Sequence, residues 1–257
     1  MPEFCKAERD GHILTVTMNR PERMNALHSP SHFEMDEIFN DFESDPDLWV
    51  AIVTGAGDKA FSAGNDLKWQ AEGKKTDPPA SGFAGLVNRF NMKKPIIGAV
   101  NGLAMGGGFE VALACDIIIA AENAFFALPE PRVGLAALAG GLHRLSRQIP
   151  MKQAMGMILT GRRVMAEEGQ KLGFVTEVVP EGGALEGARR WAELISECSP
   201  VSIRTSKDVV LRGQDHPSVG EAMLAEYQSI DDMKNSLDFI EGPLAFSEKR
   251  PPDWKGR

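Results

Sequence analysis

The chain has 257 residues, 43% hydrophobic and 25% charged, with 28 basic against 36 acidic residues and a formal net charge of −8. That length buries a substantial core in one large domain or two small ones, and the acidic excess argues against phosphate-rich polymers as partners while leaving room for a small anion at a locally positive site. Cys5, Cys115 and Cys198 are odd in number and far apart, which excludes a disulfide framework and fits reduced thiols.

Met1 to Lys6 shows no apolar or Arg-rich leader, and no apolar run nears the ~18 residues of a membrane helix. The expectation is a cytoplasmic protein with no membrane partner. Phe4 to Arg9 and His12 to Met18 flank Asp10-Gly11, a hairpin signal. Asn19 to Leu27 is a loop, and Ser29-Pro30 opens a helix with an N-cap serine and proline at its first position, running to about Ser44. Trp49 to Thr54 is a short apolar strand, followed by a glycine-spaced loop that ends in a short helix from Asp66. Gln70 to Gly82 is a polar excursion, and Phe83 to Met92 reads as helical. Pro95 to Val100 is a buried strand. Ile117 to Ala120 and Phe125 to Leu128 are further strands, the second ending at Pro129-Glu130-Pro131. His143 to Gln148, Met151 to Thr160 and Ala166 to Leu172 read as helices, Val175 to Val179 as the last strand, and Ala184 to Ser196 as a periodic helix. Beyond Ser199 only helices follow: Val201 to Arg212, Ser218 to Ile230 and Asn235 to Glu241. The change from strand–helix alternation to pure helix near residue 198 marks a boundary.

Gly106-Gly107-Gly108-Phe109-Glu110 lies between a strand and a helix. Three glycines there are costly in chain entropy unless backbone must approach something closely. A helix start also offers free N–H donors to an anion or a developing oxyanion. Glu110, one turn in, equally suits a dipole-matched helix start, and the stretch alone leaves both readings open. Other chemistry is missing: there is no GxSxG, CxxC, HExxH or Walker A sequence. Gly55 and Gly57 lack the third glycine and the acidic residue of a dinucleotide fingerprint. His28 and His32 share an i, i+4 spacing but straddle a helix start, so no metal is expected there.

Several segments, taken together, resemble the crotonase (enoyl-CoA hydratase/isomerase) superfamily. Ala60-Phe61-Ser62-Ala63-Gly64-Asn65-Asp66-Leu67 is similar to its first oxyanion segment. Asn101 to Glu110 with Cys115-Asp116 is similar to the second, and Phe126 to Glu130 with Val133-Gly134-Leu135 and Gly140-Gly141 to the segment of the second glutamate. Asn19-Arg20-Pro21 with Asn25-Ala26-Leu27 resembles the early coenzyme A loop, and Ala245-Phe246-Ser247-Glu248-Lys249-Arg250 the C-terminal signature. These matches span nearly the whole chain in order.

The resemblance implies an α/β fold, a right-handed spiral of ββα units over residues 1–198, and a C-terminal helical trimerisation region over 199–257, forming homotrimers or hexamers. It implies an acyl-CoA substrate, no cofactor beyond that thioester and no metal. Glu110 and Glu130 would be catalytic, and the backbone amides of Asn65 and Gly107 would form the oxyanion hole. Coenzyme A would lie along Arg23, Met24, Ala26, Ala63, Gly64, Asp66 and Leu67, with Phe246 and Lys249 reaching its phosphate end from a neighbouring subunit. Two glutamates imply syn hydration of a trans-2-enoyl-CoA to a 3-hydroxyacyl-CoA, or the reverse. Asn65 departs from the family's usual alanine. Ala137-Leu138 stands where hydratases carry Pro-Gly, which implies altered acyl specificity. The similar carnitinyl-CoA dehydratases keep both glutamates too, and double-bond isomerases and thioester hydrolases are further alternatives. An RNA-binding relative is disfavoured by the −8 charge.

Overall fold

The computed structural model describes residues 3–257; Met1 and Pro2, part of the N-terminal stretch read above, lie outside the described residues. In chain order, β1 (Cys5–Asp10) and β2 (Ile13–Met18) form a hairpin around Gly11-His12. They are followed by α1 (Ser29–Ser44), β3 (Val50–Gly55), β4 (Ala60–Ser62), α2 (Leu67–Ala71), β5 (Ile96–Val100), β6 (Leu103–Met105) and α3 (Gly107–Ala114). Then come β7 (Ile117–Ala121), β8 (Phe125–Ala127), α4 (Gly141–Gln148), α5 (Met151–Thr160), β9 (Val164–Met165), α6 (Ala166–Leu172), β10 (Glu177–Val179) and α7 (Ala184–Ser196). The chain ends in α8 (Pro200–Gly213), α9 (Val219–Leu224), α10 (Gln228–Lys234) and α11 (Leu237–Glu248).

The strands form two sheets, ordered β1-β2-β3-β5-β7-β10 and β4-β6-β8-β9. β2, β3, β5, β7 and β10 run parallel, as do β4, β6 and β8. Each coil therefore lays one strand in the large sheet and the next in the small sheet before turning into helix or loop. Three coils stack, β3/β4, β5/β6 and β7/β8, and the ends of β4, β6 and β8 gather on one edge.

The central strands of the large sheet, β3, β5 and β7, are apolar on both faces, as parallel strands covered on both sides require. Val50, Ile52, Ile97, Ala99 and Ile119 pack on Ala184, Ala188 and Ala192 of α7. Ala51, Val53, Ile96, Val100 and Ile118 face the main core, where Phe109, Phe126 and Phe174 lie with ring centroids 5.1–5.2 Å apart. Asn101 ties two coils together: its Nδ2 donates to Gly55 O at 2.9 Å and to Gly57 O at 2.7 Å, and its Oδ1 accepts the Gly55 amide.

Four expectations are corrected. Phe83 to Met92 is not a helix; it holds only a single 3-10 turn, Phe83–Gly85, with Ala84 left-handed at φ 58°. Ser29 is not the N-cap of α1: His28 holds that place, and the Ser29 hydroxyl donates to Asp77 O. Ser218 to Ile230 breaks into α9 and α10, because Ala225 leaves helical geometry at ψ 152°. The last helix runs on through Pro243 to Glu248, capped at Ser236 by a hydrogen bond from the Phe239 amide.

Lys94 holds the C-terminus of α1. It is 6% exposed, and its Nζ donates to Phe42 O and Asp45 O at 2.6 Å each. These carbonyls belong to the helix end, where intrahelical donors run out. Burial pushes the ammonium down to about 8. Lys94→Met keeps the apolar stem and removes both donors, so it should lower unfolding stability by about 2–4 kcal/mol; a urea midpoint equal to that of the parent would refute this role.

Candidate active site

The site grows from contact between two coils. Gly64 has φ +84°, and a methyl built on it would lie 2.7 Å from the Gly107 amide nitrogen. A methyl on Gly108 would run into the Ser62 carbonyl. Both positions therefore demand glycine, because backbone here meets backbone. Ser62 shapes its side of the contact: its hydroxyl donates to Asn25 O at 2.8 Å and accepts the Gly64 amide at 3.1 Å.

Two amides are left without an acceptor at this junction. Asn65 bridges Leu27 in parallel, with bonds from the Leu27 amide to Gly64 O and from the Asp66 amide to Leu27 O. A parallel bridge of this kind uses the neighbours of Asn65, so its own N–H points the other way. Gly107 is the first residue of α3, where no preceding turn supplies an acceptor. Among the described residues neither amide donates a hydrogen bond. The Asn65 side chain turns to Gln70, with Nδ2 to Oε1 at 2.8 Å.

Glu110 stands in the first turn of α3, 3% exposed, and its Oε1 accepts the Gly141 amide at the start of α4 at 2.8 Å. Glu130 follows Pro129 and opens a 3-10 turn, Glu130–Val133. Its Oε1 lies against Gly106, 2.9 Å from where a methyl would stand, and its Oε2 is buried without a partner among the described residues. The Gly106 amide donates to Ala127 O at 2.9 Å, which draws the β8 end carrying Glu130 to the glycine turn. Burial, with the Glu130 charge adding to it, pushes the Glu110 carboxyl up to about 7, against the lowering pull of the Gly141 amide. Burial raises Glu130 as well.

Around this centre, Arg20 pairs with Asp66 at 3.0 Å and donates to Ala26 O at 2.6 Å. Asp66 also caps α2 by accepting the Trp69 amide. The Ala63 amide donates to Met24 O at 2.9 Å, and Arg23, Met24 and Leu67 are exposed. The sequence-derived residues from Arg23 to Leu67 thus share one rim with Gly107. Among the described residues Phe246 and Lys249 share no hydrogen bond or ion pair with this rim, and Phe246 is 88% exposed. The Leu138 amide donates to Ala136 O and its side chain is 81% exposed. His28 and His32 are engaged separately, His28 Nδ1 with Ser31 Oγ and His32 Nδ1 with the Ala84 amide.

Three contributors escaped the sequence reading. Ser62 shapes the first segment, the Phe83 ring lies against Gly107, and Arg144 donates to Val87 O at 2.6 Å while its charge acts on Glu110. Gly82 and Gly85 on either side of Phe83 were the available signal of a tight turn.

A carboxyl at about 7 when folded, against an ordinary 4.5, binds more protons in the folded state. Its contribution to stability is present below about 4.5 and lost as pH rises through 7. Glu110→Gln keeps the acceptor for Gly141 and removes the charge. It should raise the thermal midpoint by several degrees near pH 8 and change it little near pH 5; scanning calorimetry at both values decides, and an equal shift at both would refute the raised value.

The model of the family described as Enoyl-CoA hydratase/isomerase matches residues 8–257. The carnitinyl-CoA dehydratase of Escherichia coli (strain K12) is 44% identical over 265 residues, covering 100% of both chains, and that of Salmonella typhi is 43% identical over the same coverage. An enoyl-CoA hydratase from Mycobacterium tuberculosis H37Rv superposes with a TM-score of 0.94 at 35% identity, covering 100% of both chains. A carnitinyl-CoA hydratase from Mycobacterium avium superposes at 0.79 with 39% identity, covering 99% of both. Family pattern, identity and fold agree over nearly the whole described length, and the chain belongs to the enoyl-CoA hydratase/isomerase family, the crotonase superfamily.

Proposed function

We propose that this protein is an enoyl-CoA hydro-lyase that adds water to a trans-2-enoyl-CoA, or removes it from a 3-hydroxyacyl-CoA. The observation that carries this reading is the carboxylate pair of buried Glu110 and half-buried Glu130, whose Oε2 is enclosed, beside two amides with no acceptor among the described residues. The thioester oxygen accepts from the Asn65 and Gly107 amides. Each such donor contributes roughly 3–4 kcal/mol to an enolate-like transition state without reorganising. One carboxylate takes a proton from water as its oxygen bonds to C3, and the other delivers a proton to C2. Both act on one face of the double bond, so the addition is syn. A carboxyl near 7 can hold that proton at neutral pH, kept there by burial with the Glu130 charge adding to it.

Coenzyme A then lies along Arg23, Met24, Ala26, Ala63, Gly64, Asp66 and Leu67, and no further cofactor or metal is required. Phe246 and Lys249 reach its phosphate end only from another subunit. The exposure of Met223, Leu224, Ile240 and Phe246 supports burial of α9 to α11 in a trimer or in a hexamer of two trimers. The location of such an enzyme is the cytoplasm; among the described residues no helix is long and apolar enough to cross a membrane.

A second reading, dehydration of carnitinyl-CoA, is favoured by the 43–44% identity to carnitinyl-CoA dehydratases. It uses the same residues in the reverse direction and differs in the acyl group alone. A panel of crotonyl-CoA, longer and branched enoyl-CoAs, and carnitinyl-CoA, followed by product mass, separates the readings. Hydration adds one water, dehydration removes one, isomerisation leaves mass unchanged and hydrolysis frees coenzyme A. Glu110→Gln and Glu130→Gln should each lower kcat at least 100-fold while the protein stays folded. Full activity in either variant refutes the paired-carboxylate mechanism. Sedimentation of the intact protein should give three or six chains.

A further inference from the structure

His32 stands outside the reaction just described, and its surroundings are unusual. It lies in the second turn of α1 and is 1% exposed. Its Nδ1 accepts the Ala84 amide at 3.0 Å, and its Nε2 is buried without a partner among the described residues. Burial, helped by the neighbouring His28, pushes the imidazole down to about 4, so the ring is neutral at neutral pH. The nitrogen facing Ala84 is then the acceptor, and the orphan nitrogen carries the hydrogen. An apolar residue would fill this place without burying an orphan N–H. The bond to Ala84 is what the imidazole supplies and an apolar residue cannot.

Ala84 needs that bond. It is left-handed at φ 58°, ψ 21°, a conformation that costs any residue with a Cβ. Its neighbours Gly82 and Gly85 are also left-handed, and Gly85 rests directly on the backbone of Asp36 in α1. The result is a tight knuckle pinned to α1 with Phe83 at its apex. The Phe83 ring lies 4.4 Å from His32, centroid to centroid, and 2.5 Å from where a methyl on Gly107 would stand. A chain of contacts thus runs from α1 through His32, Ala84 and Phe83 to the amide-bearing glycine.

We propose that His32 is a positioning residue that sets acyl-chain selectivity: by accepting the Ala84 amide it seats the Phe83 ring against Gly107, and the ring walls the space next to the thioester carbonyl. The selectivity part rests on the hydro-lyase reading. With the ring seated, the wall admits a short acyl chain. With it released, the wall opens to longer chains and the alignment of short ones at the two amides is lost.

The test uses His32→Leu, which removes the acceptor, and His32→Asn, whose Oδ1 sits where Nδ1 does. In His32→Leu the ratio of kcat/KM for crotonyl-CoA over octenoyl-CoA should fall about tenfold or more, mainly through kcat for crotonyl-CoA. His32→Asn should restore it. Hydrogen exchange at the Ala84 amide, read on the same proteins without substrate, should be slow in the parent and in His32→Asn and fast in His32→Leu. An equal loss on both substrates that tracks the thermal midpoint, or an unchanged ratio in folded His32→Leu, overturns the proposal. If the parent hydrates no enoyl-CoA, the hydro-lyase reading fails, and slow Ala84 exchange in His32→Leu would separately refute the positioning role.

Discussion

The contact of Ser62 and Gly64 with Gly107 and Gly108 is the constraint from which the rest of the site follows. Two coils of the spiral meet there backbone to backbone, and the sheet order that sets β4 beside β6 brings them together. Once they meet, two amides lose any local acceptor for geometric reasons. Asn65 sits in a parallel bridge that engages its neighbours, and Gly107 begins a helix. Neither reason involves a side chain, so asparagine is tolerated at 65 and its amide group is free to hold Gln70.

The carboxylates are governed by a competition that burial wins. Glu110 lies at the starts of two helices, in the first turn of α3 and bonded to the first amide of α4. Both favour the ionised form. Yet the carboxyl is pushed up, because enclosure withdraws solvation and Glu130 adds like charge. Glu130 has the converse arrangement. A proline on either side limits its backbone, and one oxygen has no partner. One carboxylate is held by the fold, and the other keeps an oxygen without a partner among the described residues.

Sequence reading recovers elements in proportion to how far their own residues determine them. α7, α5 and α6 fall where periodicity puts them, since each buries one continuous stripe. β4, β6 and β9 span two or three residues, and only their neighbours in the small sheet make them strands. Phe83, Leu86, Val87 and Phe90 mimic a helical stripe. The segment is instead shaped by Gly82, Gly85 and the surface of α1, so tertiary contact overrides the pattern. The site divides similarly. Glycines and carboxylates are visible as letters, but the donors at 65 and 107 are backbone and carry no letter. Resemblance pointed to those amides, and neither has an acceptor among the described residues. Ser62 and His32 act through bonds across 37 and 52 residues, beyond the reach of any local window.

The charge arrangement around the first oxyanion segment bears on how an acidic chain would hold an anionic coenzyme. Arg20 is the nearest cation, but it is bonded to Asp66 and Ala26 O and nearly buried, with 12% of its side chain exposed. Asp66 is likewise committed to Arg20 and to the cap of α2. The pair fixes the loop and contributes almost no net field. Of the residues assigned to the coenzyme, Arg23 is the one exposed cation on this rim, and a single exposed guanidinium is a weak, salt-screened partner for several phosphate charges. Lys249 stands at the left-handed cap of an apolar, exposed helix, with no hydrogen bond or ion pair to the rim among the described residues. Packing that helix against a neighbour would bury its apolar face and could set the lysine at the rim of the neighbour's site. Assembly and coenzyme binding would then draw on the same helix, and the neighbour would supply positive charge that the rim's own Arg20–Asp66 pair does not.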